Sequence, residues 1–318
     1  MEVILKTKLT KLLNIKYPIL QGAMAWVSEA NLAAAVSNAG GAGIIGTGGR
    51  DVSWIKEQID IARTLTDKPF GVNVILQDKD KDEKIDLICH EKVSFVTMGA
   101  GNPVPYIEKL KLAGIKAIPV VPNTKLAKRV EDNGADALII EGMEAGGHIG
   151  TLTSLALMTQ VIPEIKIPVI AAGGFSEGRG LAAALVMGAS GIQSGTRFYA
   201  SKECVAHINA KNAIVEAGEM GTEITGYLVN HSIRSLKNKM TDRYIELEKE
   251  NAPYEQLHDL RAGKSKSAPV EGDVEWGLVQ AGQSLSVIKS IKSCEEIIND
   301  MIREAEEAIR KLGTVLLD

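Results

Sequence analysis

The sequence predicts an α/β chain in which eight parallel strands and their helices close into a (β/α)8 TIM barrel, and three observations support this. Between residues 18 and 198, short apolar runs alternate with longer amphipathic stretches, as in parallel strands buried on both faces and joined by crossover helices. There are eight such runs, the number that closes a barrel. The first run is followed by Gly22-Ala23-Met24 and not by GxGxxG, which argues against a doubly wound dinucleotide-binding sheet.

The predicted strands and helices can be placed individually. In chain order the apolar runs cover residues 19–24, 42–46, 70–76, 95–100, 117–122, 137–141, 169–174 and 191–198. Several of the intervening helical patterns begin at a capping residue and end near a glycine. The clearest helical patterns cover residues 28–38, 51–65, 123–133 and 177–187.

A different region follows the eighth predicted strand. Residues 201–282 are richer in charge and poorer in strand signals, and they include a stretch, 261–269, that is predicted to be mobile. A strong helical period returns at 293–312, and this helix is predicted to complete the barrel. We therefore expect a barrel formed by residues 1–200 and 293–318, with a smaller, mostly helical lid subdomain at 201–292 inserted after the eighth strand.

Composition restricts the classes of function. The 318 residues carry a net charge of −4, with 45% hydrophobic and 24% charged residues, as in a globular chain without a general affinity for nucleic acid. Cys89, Cys204 and Cys294 are far apart and lack CxxC spacing, so neither a disulfide framework nor a metal site is predicted. The N-terminus lacks a secretion signal pattern and no segment has a membrane-spanning length free of charge, so we expect a cytoplasmic protein without membrane insertion.

A histidine among glycines follows the sixth predicted strand. Residues 141–150 read EGMEAGGHIG, which places His148 at a strand end, where barrel enzymes carry their active sites. Gly146, Gly147 and Gly150 lack a Cβ, so a flat cofactor or substrate can lie against the main chain beside an imidazole that titrates near neutral pH. The alternative is an ordinary glycine-rich turn with a hydrogen-bonded histidine.

Glycines also follow the seventh and eighth predicted strands, where barrels hold phosphate groups. The seventh strand ends at Gly173-Gly174, before a helix that opens near Ser176, so backbone N–H groups there are predicted to bind phosphate oxygens. The eighth strand contains Gly195 and Thr196. Either loop alone is equally well explained as a turn, but together they predict a ligand that bears a phosphate.

Further candidate contacts come from polar or bulky residues in or after strands. Asn73 interrupts a buried run, and the edge of a polar heterocycle would satisfy both its carbonyl and its NH2 group. Glu141 would accept from a sugar or ribityl hydroxyl, or else it is a solvated carboxylate at a strand end. Met24 and Trp26 either pack against a flat ring of the ligand or belong to the core. Surface or packing roles are predicted for the histidines without metal-binding spacing, which are His90, His207, His231 and His258.

Five motifs carry a resemblance to a known family. They are ILQGAM at 19–24, GVNV at 71–74, the histidine motif at 141–150, AAGG at 171–174 and QSGTRF at 193–198. Together they resemble the FMN-dependent enoyl-acyl-carrier-protein reductases II, which belong to the nitronate monooxygenase superfamily, formerly called 2-nitropropane dioxygenases. The likeness extends over essentially the whole chain, including Ala281-Gly282-Gln283. Gln280 departs from it, because related reductases tend to have methionine at this position.

This resemblance implies a barrel that binds FMN without a covalent bond, beneath a helical lid. Gly173, Gly174, Gly195 and Thr196 would hold the FMN phosphate. Glycines 146 and 147 of the histidine motif would lie along the cofactor, and no metal is implied. The ring and ribityl chain would contact Gly22, Met24, Asn73, Glu141 and Gln193.

The implied reaction is reduction of the carbon–carbon double bond of trans-2-enoyl thioesters on acyl carrier protein, with NADH or NADPH as electron source, in fatty-acid elongation. Hydride addition at the β-carbon builds negative charge on the thioester oxygen and the α-carbon, so a nearby proton donor lowers the barrier. His148 is the candidate donor. The resemblance also implies a homodimer and activation by a monovalent cation.

Two other functions fit the same residues. A nitronate monooxygenase would share the fold and FMN but use His148 as a base on a nitroalkane, with oxygen as the second substrate. A non-catalytic barrel that binds a phosphate ligand would keep the histidine as a structural residue. For the reductase, the acidic carrier protein is predicted to dock on basic residues, unless these form a solvated helix face: Arg234, Lys237, Lys239 and Arg243.

Overall fold

The computed structural model describes residues 5–229 and 231–315, and eight parallel strands form its centre. The eight barrel strands are β1 Ile19–Gln21, β2 Ile44–Gly46, β3 Gly71–Ile75, β4 Phe95–Gly99, β5 Lys116–Val121, β6 Leu138–Glu141, β8 Val169–Ala172 and β9 Gly191–Ser194. Three further strands form a separate sheet: β7 Gly147–His148, β10 Thr222–Thr225 and β11 Ile233–Leu236. The order around the barrel is β1-β9-β8-β6-β5-β4-β3-β2. A parallel bridge between Leu20 and Ala42 joins β1 to the chain just before β2 and closes the ring. The predicted (β/α)8 TIM barrel is thereby confirmed.

Helices connect the strands and cover the outside of the barrel. They are α1 Lys8–Leu13, α2 Ala30–Asn38, α3 Val52–Leu65, α4 Lys81–Glu91, α5 Val104–Leu112, α6 Thr124–Asp132, α7 Ser154–Val161, α8 Gly178–Val186, α9 Thr196–Tyr199, α10 Ile208–Glu216, α11 Lys239–Lys249, α12 Tyr254–Arg261, α13 Lys264–Lys266 and α14 Cys294–Val315. Two of the predicted helix starts are capped, since Asp51 accepts from the Trp54 N–H at 2.8 Å and Asn123 accepts from the Leu126 N–H at 2.9 Å. α2 and α8 begin without a side-chain cap. None of the described helices has the length and apolarity needed to cross a membrane.

The barrel strands are buried on both faces, as their apolar composition predicts. Side chains that alternate along each strand form an inner core within the barrel and an outer core beneath the helices. The ring of Phe95 fills part of the interior beside Gly71, where a Cβ would lie only 2.4 Å from the ring. The inner core also contains Leu20, Ile44, Ile118, Ile139 and Ile170.

The eighth barrel strand is shorter than the sequence predicts. The apolar run at 191–198 suggested one strand, but β9 ends at Ser194 and the next residues form α9. Gly195 begins this change because its backbone is helical, with φ −98° and ψ −66°. Gly195 and Thr196 therefore lie at a strand-to-helix junction above the barrel, not within a strand.

The region after the barrel strands contains a sheet that the sequence analysis missed. β10 and β11 pair as an antiparallel hairpin, and β11 also pairs with β7, which follows barrel strand β6. The missed strands have four residues each, too few for a clear alternating pattern. The stretch predicted to be mobile, 261–269, contains the last residue of α12, the short helix α13 and the start of a π-helical turn at Ser267–Glu271.

α14 returns to the barrel after this inserted region and packs against α8 and α2. The approach to α8 is close: a Cβ on Gly178 would lie 2.1 Å from the carbonyl oxygen of Met301. α14 thus occupies the position that the sequence assigns to the eighth barrel helix.

Candidate active site

A cavity with about 550 Å³ of empty space, including solvent at its mouth, lies at the carboxyl ends of the barrel strands. Its walls come from the residues that follow β1, β6, β8 and β9, and from the segment 280–284. This is the end of the barrel where (β/α)8 enzymes bind their ligands. The predicted site residues on its wall are Gly22, Met24, Glu141, Gly146, Gly173, Gly174, Gln193, Gly195 and Thr196.

Two loops present backbone donors to the cavity. Gly173 and Gly174 have φ angles of +90° and +85°, a left-handed conformation that glycine adopts without strain. Among the described residues, none accepts a hydrogen bond from the N–H groups of residues 174–176 or 195–196. These five unpaired donors on one cavity wall form a binding site suited to a phosphate group.

Hydroxyl groups add to this cradle. The Ser194 hydroxyl is buried and has no hydrogen-bond partner among the described residues. Thr196 Oγ1 accepts from the Gly282 N–H at 2.9 Å, which leaves its own proton free to donate to a ligand and ties the segment 280–284 to α9.

The glycines leave the space that a cofactor needs. A Cβ on Gly195 would have Met24 Sδ as its nearest neighbour at 3.9 Å, and a Cβ on Gly174 would lie 3.5 Å from Glu144 Cβ. Because both glycines line the cavity, any larger side chain at either position would extend into it.

Glu141 supplies the one strongly perturbed carboxyl group of the described cavity wall. Burial raises the pKa of Glu141 to about 7, and no described residue donates a hydrogen bond or a positive charge to it. At neutral pH the group is therefore partly protonated and can either donate to a ligand or accept from one.

The loop between β6 and β7 is fixed to the loop after β8 through Ser154. The carboxylate of Glu144 accepts from the Ser154 N–H at 2.9 Å, and the Ser154 hydroxyl lies 2.7 Å from the carbonyl oxygen of Gly173. Gly142 is required here, because a Cβ would lie 2.1 Å from Ser154 Oγ. The histidine motif and the loop after β8 are consequently held as one unit.

His148 lies beyond the cavity wall, two residues after Gly146. It forms β7 and pairs with Ile233 of β11, and its Nε2 atom lies 2.6 Å from Nε2 of His231. Burial of the ring, together with the positive charges of His231 and Arg261, lowers the pKa of His148 to about 4, although part of the residue remains exposed. The imidazole is accordingly neutral at pH 7.

Asn73, Gly147 and Trp26 also lie off the described cavity wall. The side-chain NH2 of Asn73 donates to Thr97 Oγ1 at 3.0 Å, so the neighbouring strand satisfies the donor that a heterocycle was expected to meet. Trp26 packs against the guanidinium of Arg50, at 4.8 Å from the ring centre, and does not pad the cavity.

The predicted basic docking face is not formed. Arg234 is 4% exposed, and its guanidinium donates to the Met143 carbonyl at 3.1 Å. The three other basic side chains have acidic neighbours, so they form a solvated, locally neutral surface. These pairs are Lys237 with Glu223 at 3.6 Å, Lys239 with Glu275 at 2.6 Å and Arg243 with Glu246 at 3.0 Å.

Sequence reasoning missed several residues of this region. Glu144 lay inside the histidine motif but was given no role, and Gln280 was noted only as a departure although it lines the cavity. Ser284, also on the wall, shares a 2.7 Å hydrogen bond with Ser176. No local pattern could have found His231, because it meets His148 through strand pairing. The described residues contain no cluster of three or more metal-ligating side chains.

Comparison with known proteins decides the family. The nitronate monooxygenase family model matches residues 6–304. The chain belongs to the nitronate monooxygenase family. Among relatives of this family, the solved structure of FabK from Thermotoga maritima is 45% identical with a TM-score of 0.95, and covers 98% of this chain and 99% of its own. This likeness confirms the predicted resemblance to the enoyl-acyl-carrier-protein reductases II of the superfamily.

Other nitronate monooxygenase relatives are more distant. Nitroalkane oxidase from Streptomyces ansochromogenes is 30% identical with a TM-score of 0.85, covering 96% of this chain and 100% of its own. A (3aS,4S,5R,7aS)-5-hydroxy-7a-methyl-1-oxo-octahydro-1H-indene-4-carboxyl-CoA dehydrogenase from Rhodococcus jostii is 30% identical over 98% of this chain and 99% of its own. The family and its FabK neighbour support an FMN-dependent oxidoreductase, and the unpaired donors of the cavity fit the phosphate of that flavin.

Proposed function

We propose that this nitronate monooxygenase family member is an FMN-dependent enoyl-acyl-carrier-protein reductase. It uses NADH or NADPH to reduce the carbon–carbon double bond of trans-2-enoyl thioesters in fatty-acid elongation. The likeness to FabK carries the proposal, since 45% identity and a TM-score of 0.95 exceed the 30% and 0.85 of the nitroalkane oxidase.

The cavity residues have distinct roles in this proposal. The N–H groups of residues 174–176 and 195–196 bind the FMN phosphate, assisted by the Thr196 hydroxyl. Gly22, Met24 and Gln193 line the ring and ribityl chain, with Gly146 along the cofactor, and Glu141 hydrogen-bonds to a hydroxyl or ring atom. When bound, FMN supplies the hydride that the double bond accepts.

His148 supplies the proton. Reduction of an enoyl thioester needs one proton at the α-carbon, and the neutral imidazole carries one N–H that can be donated there.

The remaining features follow the same proposal. Residues 201–292 form the lid over the cavity, the substrate arrives on acyl carrier protein, and the active form is a homodimer in the cytoplasm. A monovalent cation activates it. Omitting potassium and sodium from the assay, with a quaternary ammonium salt as replacement, tests the last point directly.

An anaerobic assay tests the proposed reaction. The purified protein with FMN bound should oxidise one equivalent of NADH or NADPH per flavin on its own and oxidise more only when crotonyl thioester is added, with product formation equal to the additional nucleotide consumed. Failure to reduce any enoyl thioester, on coenzyme A or on acyl carrier protein, contradicts the proposal.

A second candidate, a nitronate monooxygenase, is favoured by the family model and by the probable nitronate monooxygenase of Staphylococcus saprophyticus, 30% identical over 96% of this chain. In that case a nitronate should cause oxygen uptake without any pyridine nucleotide. A purified protein that retains no FMN after incubation with the flavin and removal of the excess would instead indicate a non-catalytic barrel that binds another phosphate ligand.

A further inference from the structure

The contact between His148 and His231 joins the barrel to the inserted region. His148 forms β7, directly after the barrel loop, while His231 precedes β11 of the hairpin. Because β7 and β11 are antiparallel, with His148 opposite Ile233, the side chains of His231 and His148 project from the same face of the sheet. The rings meet edge to face, with centroids 4.6 Å apart and an interplanar angle of 73°.

The two rings share one hydrogen bond through their Nε2 atoms, which are 2.6 Å apart. In a pair of neutral imidazoles, one ring donates its Nε2–H and has a bare Nδ1, while the other accepts at Nε2 and carries its proton on Nδ1. No described residue contacts Nδ1 of His148 or Nδ1 of His231 by a hydrogen bond. Each ring thus keeps one free nitrogen.

We propose that His148 and His231 form a two-imidazole proton relay, in which His231 links the proton of His148 to solvent. The inference rests on the proposed function for the identity of the acceptor. His148 Nδ1–H gives its proton to the α-carbon, His148 Nε2 receives the proton of His231 Nε2–H, and water protonates His231 Nδ1. One proton passes from solvent to substrate, both rings stay neutral, and exchange with water restores the starting tautomers after product leaves.

The surroundings favour this route over a single charged histidine. Burial lowers the pKa of both histidines, and the charge of Arg261, which donates from the end of α12 to the carbonyl oxygen of His231 at 3.3 Å, lowers it further. No carboxylate among the described residues is bonded to either ring. A proton stored on one ring as imidazolium is therefore penalised, whereas a concerted shift along the pair never accumulates charge.

Two substitutions separate relay from simple positioning. His231→Gln keeps an amide group near the position of Nε2 but cannot shift tautomers, and His231→Phe keeps a ring without any hydrogen bond. We expect both to slow substrate reduction by about 100-fold, with the rate of flavin reduction by NADH or NADPH unchanged. The exposed His90→Gln is the matched control and should match the wild type.

Solvent isotope effects identify the relay itself. The rate is measured in mixtures of H2O and D2O and plotted against the deuterium fraction. The wild-type plot should be curved, because two protons move in the same step, and the His231→Gln plot should be a straight line, because only one proton moves. Recovery of the wild-type rate in His231→Gln would overturn the relay and leave His231 as a positioning residue. A wild-type rate in His231→Phe would show that His231 has no role in the reaction.

Nitrogen NMR of the flavin-free protein tests the pair even if the proposed reaction is wrong. Histidines 148 and 231 labelled with 15N should show opposite tautomers, one protonated at Nδ1 and the other at Nε2. His148 should also stay neutral at pH 6, and the pKa of His231 should lie below its ordinary value. Two independent rings that titrate near their usual range would contradict the inference.

Discussion

His148 lies directly opposite Ile233 in the pairing of β7 with β11, so the candidate proton donor is held by the hairpin of the inserted region. The N–H of Ile149 continues this pairing by donating to the Ser232 carbonyl at 3.2 Å. The unpaired donors of residues 174–176 and 195–196, by contrast, follow β8 and β9 of the barrel. The proposed cofactor site and the position of the histidine therefore depend on different parts of the chain, which makes them separable by mutation.

Replacing His148 by alanine should leave FMN bound but slow the reduction of enoyl thioester by about 100-fold or more, because a positioned general acid contributes this much. The visible spectrum of the purified variant reports bound flavin, and stopped-flow oxidation of the reduced enzyme by crotonyl thioester reports the step. His258→Ala, on the exposed side of α12, is the control. A wild-type rate would assign His148 a structural role in β7.

Replacing Gly195 by leucine should abolish FMN binding without unfolding the protein. The φ angle of Gly195 is −98°, which any residue adopts, but the side chain would enter the cavity beyond Met24 Sδ. Flavin titration followed by fluorescence gives the affinity, and thermal unfolding of the flavin-free protein gives the stability. Gly218→Leu, where a Cβ would have nothing within 4 Å, serves as the control. Unaltered FMN affinity in Gly195→Leu would place the cofactor elsewhere.

The raised pKa of Glu141 predicts a pH-dependent gain in stability for Glu141→Gln. Between pH 4.5 and about 7 the folded wild-type protein keeps a proton that the unfolded chain has lost, so its stability falls as pH rises through this window. Glutamine carries no such penalty. The advantage of Glu141→Gln should therefore grow across the window and level off above it, at no more than roughly 3 kcal/mol.

Urea unfolding of the flavin-free proteins at pH 5 and pH 8 measures this difference. Glu250→Gln, at an exposed position beside Arg243, should show little change between the two pH values. An advantage of Glu141→Gln that is the same at both pH values would show that the carboxyl group is not desolvated.

Replacing Arg234 by alanine should destabilise the hairpin by about 1–3 kcal/mol, because buried hydrogen bonds to the Met143 carbonyl and to Thr222 are lost. Arg243→Ala, at an exposed pair, should change stability by less than about 0.5 kcal/mol. Activity of Arg234→Ala should fall equally on carrier-bound and coenzyme A thioesters. A loss confined to the carrier-bound substrate would restore the docking role that the buried position argues against.

The fold was predictable because its signals are local and repeated. Eight apolar runs, with caps such as Asp51 and Asn123, specify strands and helices without knowledge of distant contacts. The end of the eighth strand was misplaced because the sequence around Arg197 and Phe198 is equally compatible with a strand. The strand ends where the backbone of Gly195 becomes helical and α9 begins.

The site was predictable to the extent that it is built from backbone. The glycines after the seventh and eighth barrel strands predict a phosphate site, because glycine leaves the main chain open to contact with a ligand. Side-chain partners were not predictable. Asn73 forms its hydrogen bond with Thr97 on the adjacent strand, and His148 forms one with His231, 83 residues further along the chain.

The packing of α14 has a consequence for how the protein folds. Gly41, before β2, lies close enough to α14 that a Cβ would sit 3.2 Å from the side chain of Ile298, and Gly178 is as tightly fitted against Met301. These contacts join segments that lie more than 100 residues apart in the chain, and such long-range closure is slow. While the ribosome makes the inserted region, the apolar faces of α2 and α8 have no cover. The nascent barrel therefore exposes apolar surface between α2 and α8 until α14 has been made, and transiently exposed surface of this kind favours aggregation.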